Sequence, residues 1–176
     1  MGRLGPLLER GRHGGWLLLI GSDRRMAQSE DARTQPHEVV EAVTAASGYR
    51  LRTRTLRMLA DSFSPELAET FRARAMATVR RDPREAGALA RLGLIVANAV
   101  RDTHSRMTCL RTLAQAHMVA GTFRGALRAA DQAIEIPREL GDAVAVADLE
   151  ATRIPILAHL ERYAEAREAG RRALEV

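Results

Sequence analysis

The feature that most constrains this chain is that its C-terminal half matches itself at a shift of 40 residues. Ala86, Ala126 and Ala166 fall in register, as do Ala90, Ala130 and Gly170, and then Gly93, Ala133 and Ala173. Larger apolar residues align with them: Leu94, Ile134 and Leu174; Val96, Ile136 and Val176; Val100 and Leu140. Asp102 matches Asp142, and Phe123 matches Tyr163. A fixed period of about 20–50 residues marks stacked supersecondary units, none of which buries its apolar face alone. Spacings of four and three keep Ala126, Ala130 and Ala133 on one stripe of a helix, where small side chains let an antiparallel neighbour come close. The fold class that follows is all-α, an antiparallel helix-hairpin stack. The aromatic residue beside each turn is expected to fill the wedge between hairpins.

The punctuation upstream supports helices that begin before the repeat. Pro36 stands at a first helical position, with Val39, Val40, Val43 and Ala46 on one face and Gly48 as the stop. A second helix is expected from Leu51 to about Ala60, with Leu56, Leu59 and Phe63 as apolar contacts. The alternation from Arg50 to Thr55 is also compatible with an edge strand. Ser64-Pro65-Glu66 supplies an N-cap, a proline at N1 and an acid in the first turn, starting a helix expected to reach about Arg81. Asp82-Pro83-Arg84-Glu85 reads as a capping box that opens the next helix. Residues 1–35 carry neither period and are read as a disordered or weakly ordered segment, 36–81 as helices packing on the array, and 82–176 as the repeats.

Composition agrees with an all-helical chain, because 46% of the 176 residues are hydrophobic while aromatics, which favour strands, make up only 3%. No lysine occurs, and all 27 basic residues are arginine. Together with abundant Ala and Gly this looks like the bias of a GC-rich bacterial genome, so the sequence pI near 10.7 says little about function. The one real charge asymmetry is residues 50–84, with nine Arg against four acids. A single cysteine, Cys109, excludes an internal disulfide and a Cys-rich zinc module, and a reducing cytoplasm is the expected location. The apolar run Trp16-Leu17-Leu18-Leu19-Ile20 is shorter than the core of a signal peptide and far short of the ~20 residues that span a membrane. Met26 is an alternative start for the chain.

The stretch from Leu113 through Ala116, His117, Gly121 and Phe123 to Ala126 resembles the turn region of the tetratricopeptide repeat: Leu and a small residue on helix A, Gly and an aromatic at the turn, Ala opening helix B. Residues Leu157 to Ala166 repeat it without the turn glycine, and the resemblance covers roughly residues 83–176. It implies a right-handed α-solenoid. The 40-residue unit, longer than the usual ~34, resembles the arrays that precede CHAT (caspase-like) peptidase domains in bacterial signalling proteins, and secondly those of ATP-dependent transcriptional regulators. It further implies an array that continues past Val176. Pro137 and Pro155 depart from the pattern, since a proline inside a helix removes a hydrogen bond and costs on the order of 3 kcal/mol.

Candidate chemistry is sparse. Cys109 falls on a helix A, away from any activating His, and reads as a small buried apolar residue. The five His show no metal spacing, His117 reads as a satisfied core histidine, and neither a Walker A motif nor a GxGxxG is present. A non-enzymatic scaffold without cofactor or metal is therefore expected. In the family it resembles, peptides lie along the concave face of the A helices, which implies partner-binding roles here for Thr108, Arg111, Thr112, Gln115, Asp148, Thr152 and His159. A protein or peptide is the expected partner, with self-association through a C-terminal edge that exposes Leu157, Leu160 and Leu174. The alternative is the sensory arm of a transcriptional regulator touching nucleic acid through residues 50–84, although so few aromatics there favour a solvated face.

Overall fold

The computed structural model describes residues 35–175, and every regular element among them is helical. The helices are α1 (Pro36–Ala45), α2 (Tyr49–Met58), α3 (Pro65–Thr78), α4 (Pro83–Ala99), α5 (Thr103–Val119), α6 (Phe123–Leu140), α7 (Ala143–His159) and α8 (Tyr163–Leu174), with one 3-10 turn at Ala60–Ser62. From α3 onward each helix packs mainly on its neighbours in sequence, while α3 also meets α5 and α1 lies on α3. This serial packing is that of a helical solenoid. The reading of residues 1–34, including the Trp16 run and Met26, lies outside the described residues.

The period is finer than the sequence comparison suggests. Helices α4 to α8 take their N-caps at Asp82, Asp102, Thr122, Asp142 and Arg162, one helix and its turn every 20 residues, so two make the 40-residue unit. Asp82, Asp102 and Asp142 each accept a backbone N–H three residues on, at 3.0, 2.8 and 3.0 Å, which satisfies one of the donors a helix start leaves free. The turns after α4, α5, α6 and α7 are the same turn four times. In each, the N–H of Asp102, Thr122, Asp142 or Arg162 reaches back five residues to a carbonyl at 2.9–3.0 Å, closing a Schellman motif. The preceding residue is left-handed in every case: Gly121 and Gly141 supply it without strain, whereas Arg101 (φ 56°) and Glu161 (φ 60°) adopt it against the usual preference. The missing turn glycine at 161 therefore leaves the turn geometry intact.

The small-residue register holds. Ala126 and Ala130 are 0% and 1% exposed, and Ala86, Ala90, Ala133 and Ala166 are buried too. Gly93 stands where the later units carry Ala, for a local reason. A Cβ there would sit 3.0 Å from Cys109 Sγ, 3.1 Å from the Ala68 carbonyl oxygen and 3.2 Å from Phe71 Cβ, so α3 and α5 both close onto α4 at this point. Cys109 is buried, as the sequence implied, and burial pushes its thiol pKa up to about 12.

Several expectations are corrected. Residues 50–55 lie in the expected second helix, which starts two residues earlier at Tyr49 and ends at Met58, and the strand alternative falls: one face seats Leu56 in the core, and Arg52 donates to the Ala46 and Thr44 carbonyls at the end of α1 (3.0 and 3.3 Å) while pairing with Glu85 at 2.6 Å. That pairing takes the carboxylate from the capping box foreseen at Asp82, leaving only the Asp82 half; Glu38 instead reaches back to the Gln35 N–H at the start of α1. α3 ends at Thr78, and α6 runs through the buried Pro137 to Leu140. At the C-terminal edge Leu157 is fully buried and Leu160 leans on the core, so of the three leucines assigned there only Leu174, 86% exposed, presents its side chain broadly to solvent. Phe123 fills its wedge against His159, but Tyr163, expected to do the same, is 60% exposed.

Candidate functional site

Residues of α5 and α7 border a cleft of about 250 Å³. Arg111, Gln115 and Met118 form one wall, Thr152 and Pro155 the other, and Ala114 and Ile156 close the floor. These α5 residues are spaced four and three apart, one stripe of one helix face. Arg111 bridges the mouth to Asp148 on α7 at 2.6 Å. Both side chains are about half exposed, so this pair contributes little stability, at most about 1 kcal/mol, and opens readily for a partner.

The seven residues assigned from sequence fall into distinct environments. Arg111, Gln115 and Thr152 line the cleft, and Asp148 stands at its rim. Thr108 lies one turn below, its hydroxyl donating to the His104 carbonyl at 3.1 Å. Thr112 is 3% exposed and donates to the Thr108 carbonyl at 2.9 Å, so it offers no surface; it faces inward because it sits beside, not on, the exposed stripe. His159 is exposed at the far end of α7, but one face of its ring stacks on Phe123 with centroids 4.3 Å apart and planes 7° from parallel. The Thr152 hydroxyl donates to the Asp148 carbonyl at 3.1 Å and keeps its lone pairs for accepting, so the polar groups open to a ligand among the described residues are that hydroxyl oxygen, the Gln115 amide and the spare N–H and carboxylate positions of Arg111 and Asp148.

Pro155, which breaks the sequence pattern, belongs to the wall of this cleft. Lacking an N–H, it leaves the Ala151 carbonyl without its helical donor, and both residues lie on the exposed side of α7, where water or a partner N–H meets that oxygen. No repeat pattern accounts for the proline; its position in the cleft wall does.

What sequence reasoning missed altogether is the device that holds α7 in place. Glu150, on the opposite side of α7 from the cleft, is 0% exposed and accepts from Arg138 of α6, Arg153 of α7 and Arg172 of α8, each at 2.8 Å. Burial alone would raise its carboxyl pKa, but the hydrogen bonds from Arg172 and Arg153 outweigh it and hold the group below the usual carboxylate range. The three arginines lie 12, 3 and 22 residues from Glu150, so no local spacing rule groups them. Among the described residues no three His, Cys, Asp or Glu side chains converge as a metal site would require, and no helix is long and apolar enough to cross a membrane. Comparison with protein-family models, with curated proteins and with solved structures gave no match to this chain.

Proposed function

We propose that the protein is a non-enzymatic interaction scaffold that binds a peptide or a protein segment in the α5–α7 cleft. The observation that carries this reading is that Arg111, Gln115 and Thr152, which the resemblance assigns to a partner-binding face, share one open cleft with an apolar floor and unspent polar groups. An apolar floor with a few placed donors and acceptors is how grooves fix an extended chain, the floor supplying affinity and the polar groups orientation. The repeat is of the tetratricopeptide kind, and its long unit fits a place within a larger array of the type that precedes CHAT domains in bacterial signalling proteins. The compartment that suits a buried free thiol is the cytoplasm.

Selection of peptides from a displayed random library on the full chain tests the proposal. Enriched peptides should lose about tenfold or more in affinity on a Gln115→Ala, Thr152→Ala variant, because each truncation leaves a polar partner unpaired. Peptides that bind the variant as well as the wild type would refute the assignment of the cleft.

A second reading draws on residues 50–84. Arg52, Arg72 and Arg74 are paired with Glu85, Glu69 and Glu41, whereas Arg50, Arg54, Arg57, Arg80, Arg81 and Arg84 have no acid within ion-pair distance among the described residues. A salt-sensitive gel shift with generic duplex DNA at micromolar protein would favour nucleic-acid contact over the scaffold reading.

A further inference from the structure

On another part of the molecule, a pocket of about 220 Å³ opens between the first half of α4 and the last turn of α5. It shares no lining residue with the cleft and does not rest on the reading of it. Its charged side chains are Arg84 and Arg91; no Asp or Glu lines it. Neither arginine has an ion-pair partner among the described residues. The nearby acids of α4 are spent elsewhere: Asp82 caps the helix through the Glu85 N–H, and Glu85 pairs with Arg52 on the border of a different cavity. Two cations thus face one small concavity without a counter-charge, and such a place concentrates anions.

The hydrogen bonds around His117 show that this arrangement is held and not incidental. The Arg91 guanidinium can only donate, so its 3.0 Å contact makes His117 Nε2 the acceptor. Nδ1 therefore carries the proton and donates to the Thr122 hydroxyl at 2.8 Å, whose own proton goes to the His117 carbonyl at 3.0 Å. Burial, and then the charges of Arg91 and Arg128, lower the His117 pKa and keep this neutral tautomer in place. Gly125 leaves room for the ring, since a Cβ there would come within 2.9 Å of Nδ1. One N–H of Arg91 is fixed by the histidine, and its others make no hydrogen bond among the described residues.

We propose that this pocket binds a phosphoryl group, with Arg84 and Arg91 as its ligands and His117 and Thr122 as positioning residues for Arg91. A carboxylate presents two oxygens and one charge and would satisfy one guanidinium fork. A phosphoryl dianion presents three oxygens and matches two forks, and the volume leaves room for the group and its ester bond. The same chemistry is offered by free phosphate and by a phosphorylated side chain, and two ligands distinguish them.

The full chain is titrated with inorganic phosphate, with a phosphoserine peptide and with acetate, and followed by amide NMR. Phosphate and phosphoserine should saturate with shifts grouped at Arg84, Gly87, Arg91, Ala120 and Thr122, and acetate should bind about tenfold more weakly or worse. Tighter binding of the peptide assigns a protein-borne phosphoryl group, tighter binding of inorganic phosphate a free one, and either order supports the site. The bound dianion should also raise the titration midpoint of His117, because a nearby negative charge favours the imidazolium. Arg84→Gln and Arg91→Gln should each weaken phosphate about tenfold or more, while Arg167→Gln, an exposed α8 arginine with no ion pair among the described residues, should leave it unchanged. Arg84 is exposed and makes no hydrogen bond among the described residues, so its variant tests the site even if Arg91→Gln disturbs folding. Absence of saturable phosphate binding, wild-type affinity in Arg84→Gln, or an equal loss in Arg167→Gln would overturn the proposal.

Discussion

Replacing Glu150 by Gln removes the charge at the centre of the α6–α8 anchor while keeping the side chain's shape. The carboxylate accepts from Arg138, Arg153 and Arg172, and Arg172 touches both of its oxygens, at 2.8 and 3.3 Å. Gln keeps one acceptor oxygen and turns an NH2 toward guanidinium donors. Breaking a fully buried ion pair costs about 3–5 kcal/mol. Here the loss is smaller, because Arg138 and Arg172 are 40% and 34% exposed and can be hydrated, and Glu135, Glu168 and Asp131 remain as second partners. Arg153, only 15% exposed, keeps Asp131 2.9 Å from its Nε, but that contact lacks hydrogen-bond geometry and its donor toward Glu150 is the least easily hydrated of the three, so about 2–3 kcal/mol is expected for Glu150→Gln. Urea unfolding should show a lower midpoint with an unchanged slope. Arg111→Gln, which removes the exposed pair at the cleft, should cost no more than about 1 kcal/mol. Acid adds a second signature. The folded Glu150 pKa lies below the unfolded value, so its stabilisation is fully present above the ordinary carboxylate pKa and is lost as pH falls through the folded one. The wild type should therefore lose stability more steeply than Glu150→Gln in that acid window. Equal midpoints for Glu150→Gln and Arg111→Gln would refute the reasoning.

Ala130→Leu should overpack the stripe between helices and cost about 1–3 kcal/mol, whereas Ala164→Leu, on the exposed side of α8, should be nearly silent in the same unfolding assay; equal effects would mean the register is wrong. Gly93→Ala should cost about 1–2 kcal/mol in thermal melting, because the Ala68 carbonyl 3.1 Å from the new methyl belongs to the backbone of α3 and yields little. His117 has a folded pKa below its unfolded value, so its contribution is complete above about pH 6.5 and is lost as pH falls from there toward the folded pKa. His117→Gln should flatten that limb of the stability profile, and an unchanged profile would contradict the neutral tautomer.

What could be read from the sequence is what depends on short spacings and on the resemblance laid over them. The caps at Ser64 and Asp82 and the alanine stripe follow from positions three and four apart, and the cleft-lining Arg111, Gln115 and Thr152 from the concave face that the resemblance implies. Thr112 was misplaced because a one-residue step rotates a side chain about 100° round the helix, enough to carry it from the exposed stripe to the core. Contacts that close between distant segments left no local trace. Arg52 with Glu85 ties α2 to α4, and Glu150 draws arginines from three helices. His117 was read as a core residue because it replaces an apolar one in the repeat; its partners, Thr122 five residues on and Arg91 twenty-six residues back, lie outside the small-residue pattern. Pro155 shows the converse, a sequence irregularity whose place became clear only when the cleft wall was seen.

The central claim, that the α5–α7 cleft receives a peptide, is tested most directly by mapping a library-selected peptide onto the full chain through amide chemical shifts. The account predicts saturable shifts confined to Arg111–Met118 of α5 and Asp148–Ile156 of α7, with the Arg111–Asp148 bridge opened and α1 and α2 undisturbed. Shifts centred on the arginines of α2 and the α3–α4 turn, or spread evenly over every helix, would contradict it.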